Sequence, residues 1–76
     1  MYMYTIYCKD DGTFACEGRL QDGTERWTEA TLKKAVDSLK QFAKAMNGTK
    51  IARKDIAVMK SIQVVETKWV LATGGK

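Results

Sequence analysis

Histidine is absent from this chain of 76 residues, and cysteine occurs only at positions 8 and 16. Without an imidazole there is no histidine general base, no Ser–His or Cys–His pair and no histidine-ligated metal, which removes most hydrolytic mechanisms. Two thiols are too few for a structural zinc site. A glycine-rich phosphate loop is missing too, because Gly12 and Gly23 each follow an aspartate in an Asp-Gly turn. These absences predict a protein with no catalytic activity, no cofactor and no small-molecule substrate. No apolar run approaches the ~20 residues of a membrane helix. Nor does the start show a basic segment followed by an apolar stretch and a small-residue cleavage site, so the expectation is a cytoplasmic protein with no membrane partner. Asn47-Gly48-Thr49 matches a glycosylation acceptor, but a helix cap accounts for it better in that compartment.

What is present suits one small domain, residues 1–76. A chain this short buries only about 60% of the surface its unfolded form exposes. With neither disulfides nor metal to help, its core must be hydrophobic. At 45% apolar and 29% charged residues the composition is that of an ordinary globular domain.

Residues 2–9 are dominated by aromatic and β-branched side chains and read as a strand. The run Lys9-Asp10-Asp11-Gly12-Thr13 predicts a hairpin loop with Gly12 as its left-handed third residue. That choice sets Cys8 opposite Phe14, Ile6 opposite Cys16 and Tyr4 opposite Gly18. The even positions, Tyr2 and Tyr4 among them, then form the core face, and the two cysteines become diagonal neighbours pointing inward as reduced thiols. Tyr4 is expected to lie over the gap at Gly18. A second Asp-Gly-Thr, at Asp22, leads into a short third segment ending at Trp27. Residues 29–46 carry Leu32, Ala35, Val36, Leu39, Phe42, Ala43 and Met46 at helical spacing. Thr28 is the expected N-cap, with Trp27 and Leu32 as a hydrophobic staple, and Asn47-Gly48 ends the helix. Residues 61–66 and 68–72 read as a closing hairpin turning near Glu66. Residues 56–59 are open to either a strand or a short helix capped by Asp55. The fold class is therefore α+β: a mainly antiparallel sheet with one amphipathic helix packed on one face, in the order β-β-(β)-α-β-β. Gly74 and Gly75 resemble the diglycine of ubiquitin-like modifiers, but Lys76 follows them, and residues 73–76 read as a flexible tail.

The net charge of +4 is unevenly spread: from Lys33 onward there are nine lysines and one arginine against Asp37, Asp55 and Glu66. Lys33, Lys40 and Lys44 fall in one sector of the helix opposite its apolar stripe. Lys50, Arg53 and Lys54 follow in the loop beyond its C-terminus, where positive charge suits the helix dipole. Together they predict one basic patch for an acidic or polyanionic partner. A solvated helix face is the plainer account of the same lysines. Base-stacking aromatics are not evident beside the patch, which favours a protein partner over DNA or RNA as the alternative. On the odd-numbered sheet face, Tyr7 beside Arg19 and Met3 forms a second candidate contact surface.

The succession of a β-hairpin, the amphipathic helix from Leu32 and the closing stretch AVMKSIQVVETKWVL resembles the small phage-encoded anti-CRISPR proteins that inhibit type I systems. The resemblance covers about the last two-thirds of the chain and rests on size and element order. It implies a viral inhibitor acting stoichiometrically in the host cytoplasm, by occupying a Cas protein or surveillance complex and blocking target-DNA binding. It carries over no functional residue. The basic charge departs from the acidic DNA-mimicking members of that group.

Overall fold

The computed structural model describes residues 2–62 and 68–73, with side chains described through residue 60. Five strands and one helix follow in the order β1 (Tyr4–Cys8), β2 (Phe14–Leu20), β3 (Gly23–Glu29), α1 (Leu32–Asn47), β4 (Ile56–Ile62) and β5 (Lys68–Thr73). A single 3-10 turn, Arg53–Asp55, introduces β4. The sheet order is β3-β2-β1-β4-β5, antiparallel throughout except where β1 runs parallel to β4. This is the expected α+β fold, with a mixed sheet.

The first hairpin follows from one glycine. Gly12 takes φ of 86° and donates its N–H to Lys9 O at 3.1 Å, while Lys9 N–H reaches Thr13 O at 3.0 Å. Asp11 Oδ1 accepts from both Thr13 N (2.9 Å) and Thr13 Oγ1 (2.5 Å), and these bonds hold its carboxyl below the usual carboxylate range. The resulting register pairs Tyr4 with Gly18, Ile6 with Cys16 and Cys8 with Phe14, as the turn chemistry requires. Cys8 and Cys16 are free thiols.

The helix begins later than its sequence pattern predicts. Thr28 and Glu29 are held by β3, paired with Ala15 and Phe14, so they cannot enter α1. Thr31 is the N-cap instead, its hydroxyl accepting from Lys34 N–H at 3.2 Å. The expected staple is replaced by a tertiary bond: Trp27 pairs with Cys16 on β2, and its indole N–H donates to Ser38 Oγ at 2.9 Å. Ala35, Leu39 and Ala43 are buried against the sheet, with Val36 and Phe42 partly so. Both ends of the stripe are left out, Leu32 being 37% and Met46 55% exposed, because the helix outruns the surface it covers. Tyr4, Ile6, Cys16, Ile56 and Val58 complete the core.

Gly18 is indeed covered by an aromatic ring, but by Phe42 of α1 rather than by Tyr4 alone. A Cβ at Gly18 would stand 2.6 Å from Phe42 Cδ1 and 2.9 Å from Cζ. Tyr4 meets that ring edge-on, with centroids 6.3 Å apart, and Trp27 lies 5.2 Å from it on the other side.

After α1 the chain returns along β1 in the same direction, and this sets β4. Residues 56–59 are strand, not helix: Tyr4 to Cys8 pair in register with Ile56 to Lys60. Strand β4 thus starts five residues before the closing hairpin expected at residue 61. The turn of that hairpin falls outside the described residues, as do residues 74–76; Thr73 belongs to β5. On the face turned away from α1, Thr5 and Ala57, paired across the seam between β1 and β4, are 9% and 3% exposed, while Tyr7 and Met59 further along are half-buried. Among the described residues no helix is long and apolar enough to cross a membrane.

Candidate functional site

The end of α1 organises the surface of greatest interest. Gly48, at φ 63°, lets its own N–H reach Lys44 O and that of Thr49 reach Ala43 O, both at 3.1 Å. Asn47 then fastens this corner to the sheet, its Nδ2 donating to Tyr4 Oη at 2.9 Å and to Arg19 O at 3.0 Å. Four residues after Asn47, Ile51 is buried and pins the loop to the core. Lys50 is thereby folded back beside the last turns of the helix.

Lys40, Lys44 and Lys50 line one depression of about 290 Å³, floored by Ile51. A larger cleft of about 620 Å³ opens on the other side of Lys50 and Ile51, bounded by Tyr2, Met3, Lys54 and Asp55. The two hollows share Lys50 and Ile51 and so adjoin; this pair of hollows, the trough, is lined by four lysines, Lys40, Lys44, Lys50 and Lys54. Its apolar part is Ile51, half-buried Tyr2 and Met3, which is 47% exposed. Asp55 is engaged locally, Oδ2 accepting from Ala52 N–H at 2.8 Å.

Four of the six predicted patch residues therefore converge. Lys33 is exposed in the first turn of α1, ~10 Å along the axis from Lys40, and lines neither hollow. Arg53 is half-buried, with Nη1 donating to Ile56 O at 3.3 Å. The sheet-face pair divides differently from the sequence reading. Arg19 does lie beside Met3, donating its N–H to Met3 O at 2.9 Å. Tyr7 sits further along β1, opposite Ala15 and Met59, in a separate depression of about 400 Å³ with Lys9, Glu17 and Arg26. Burial pushes the Tyr7 phenol up, reinforced by the Glu17 carboxylate and opposed by Arg26. The exposed Arg26–Glu17 bridge, 2.8 Å, is of the kind that contributes ~0–1 kcal/mol.

Sequence reasoning missed Tyr2, Met3, Ile51 and Asp55 as members of this site. Parity with Tyr4 assigned Tyr2 to the core, yet Tyr2 precedes the first paired residue of β1 and so is half-buried at the trough's margin. The aromatic that the sequence seemed to lack beside the patch is therefore supplied from the opposite end of the chain.

Cys16 offers little reactivity by comparison. Burial pushes the Cys16 thiol up to about 11, against the Ser38 hydrogen bond that lowers it, with Glu29 raising it further. Its Sγ lies 3.9 Å from Phe14 O and Ser38 Oγ. Among the described residues no three of His, Cys, Asp and Glu gather where a metal ion could be held. No family model matches the chain, and neither a curated protein nor a solved structure matches it.

Proposed function

We propose that this protein acts without catalysis, by binding an acidic surface of a protein partner through the trough at the C-terminal end of α1. The observation that supports this reading is the convergence of Lys40 and Lys44 from the helix with Lys50 and Lys54 from the loop. Clustered ammonium groups on a concave surface speed encounter with a negative partner and fix its orientation. The resemblance to phage-encoded type I inhibitors makes a Cas protein or surveillance complex the first partner to try, with blocked target-DNA binding as the action. A nucleic-acid partner is the second reading, and the position of Tyr2 beside Lys50 and Lys54 favours it, since a basic groove with an aromatic edge also suits single strands.

The test uses the whole protein as bait in lysate of the native host and, separately, with a purified type I complex. The expected result is nuclease-insensitive capture that is lost when Lys40 and Lys44 are both changed to Glu, with the melting curve unchanged. Capture abolished by nuclease, with affinity falling steeply as salt rises, would replace this reading with the nucleic-acid one.

A further inference from the structure

We infer that the ligand of the trough is an extended acidic segment of the partner, with carboxylates alternating along one side and an apolar side chain seated between them. This rests on the protein-binding reading above and specifies its chemistry.

Four observations lead to it. The first is spacing. Lys40 and Lys44 are one helical turn apart, ~6 Å along the axis, and an extended strand presents alternate side chains on one side every ~6.6 Å. Carboxylates two residues apart can therefore meet successive cations.

The second is the apolar wall. Ile51 lies on the shared boundary between the lysine pairs, and Met3 and Tyr2 continue it as surface still open to solvent. A ligand that only cancels charge leaves that wall wet, whereas one leucine or phenylalanine among the acids covers it. At about 620 Å³ the larger hollow has the size of an ordinary ligand pocket, ~300–1,000 Å³.

The third is a donor in the cleft lining. Tyr4 lines the cleft and is only 4% exposed; its hydroxyl oxygen accepts from Asn47, and its own proton goes to no acceptor among the described residues. A tyrosine hydroxyl can accept and donate at once, so this O–H suits a carboxylate or backbone carbonyl.

The fourth separates a peptide from a nucleic acid. Asp55 stands on the rim, and the helix presents its negative dipole end at the same corner. A phosphate backbone would bring a charge with every nucleotide past both. In a peptide the residue that passes Asp55 and the helix end can be uncharged, and its N–H is a donor from which the second carboxylate oxygen of Asp55 can accept.

The experiment titrates ¹⁵N-labelled full-length protein with a synthetic peptide of about twelve residues, alternating Glu with Thr and carrying one central Phe. The same peptide with Gln for Glu and an oligothymidylate of like length serve as comparators. Amide resonances of Tyr2, Lys50, Ile51 and Lys54 are expected to move with the Glu peptide. Lys50→Glu with Lys54→Glu is expected to weaken it at least ~fivefold and Tyr2→Ala ~threefold, while Lys33→Glu stays within ~twofold. Equal binding of the Gln peptide, shifts confined to other surfaces, or tighter binding of oligothymidylate at the same resonances would each overturn the inference. If the captured partner is retained by the Lys50→Glu, Lys54→Glu variant, partner binding stands while this site assignment falls. If the peptide binds as expected and no partner is captured, the reverse holds.

Discussion

Gly18 shows how one residue can be required for its lack of a side chain. It lies buried on β2 under the Phe42 ring, which in turn contacts Tyr4 and Trp27, so three aromatic residues are arranged around a missing methyl group. Its backbone is ordinary strand, so the constraint is space and not φ. Gly18→Ala is expected to destabilise by ~1–3 kcal/mol, the usual cost of overpacking. In a Phe42→Leu background the same change is expected to cost less, and denaturant midpoints of the four proteins give the coupling. Equal costs in both backgrounds would show that the ring is not what the methyl meets. The sequence shows that Gly18 faces Tyr4, because register is local to the hairpin. It does not show Phe42, whose approach depends on how the helix lies. The site divides the same way. Lys40, Lys44, Lys50 and Lys54 are legible as neighbours by helical period and adjacency, while Tyr2 and Met3 join them only through tertiary packing.

At the level of elements, the start of α1 records a competition that local signals cannot decide. Thr28 and Thr31 are both competent caps, and Glu29 suits a first helical turn. Pairing with β2 consumes Thr28 and Glu29, which leaves Thr31 to bond Lys34 N–H. Thr31→Ala is thus expected to lower stability by ~1 kcal/mol, whereas Thr28→Ala, at an exposed position of the edge strand, is expected to change it by under ~0.5 kcal/mol. Thermal melts of the two variants decide between the caps, and the opposite ranking would restore the earlier helix start. The first hairpin was readable because Gly12 admits few loop geometries. Strand β4 was only half readable: a run such as IAVM fits strand or helix, and the parallel partner that settles it lies at the other end of the chain.

On the scale of the whole molecule there is one described core, and Leu39 is among its largest fully buried side chains. Domains have roughly 0.05–0.15 kcal/mol of stability per residue, so a loss of a few kcal/mol is a large part of the total here. Leu39→Ala is expected to lose ~2–5 kcal/mol, while Lys34→Ala, exposed on α1, is expected to leave the denaturant midpoint in place. Similar shifts for both would mean that the buried face of the helix is misassigned. The parallel seam between β1 and β4 bears on how this molecule is made. As the chain emerges in order, β1, β2, β3 and α1 can associate through contacts between near neighbours, but the inner edge of β1 waits for a segment that follows all of them. Until then the future centre of the sheet is an open edge with Tyr4 and Ile6 on it, the geometry most prone to pairing with the wrong chain. Closing the seam spans most of the polypeptide, and such non-local pairing slows folding relative to helical proteins of equal size. The basic residues of the second half of α1 and of the loop after it are synthesised just before β4, so the nascent chain carries the charge of Lys40, Lys44, Lys50 and Lys54 while that edge is bare, and like-charge repulsion between neighbouring copies opposes their association during the wait.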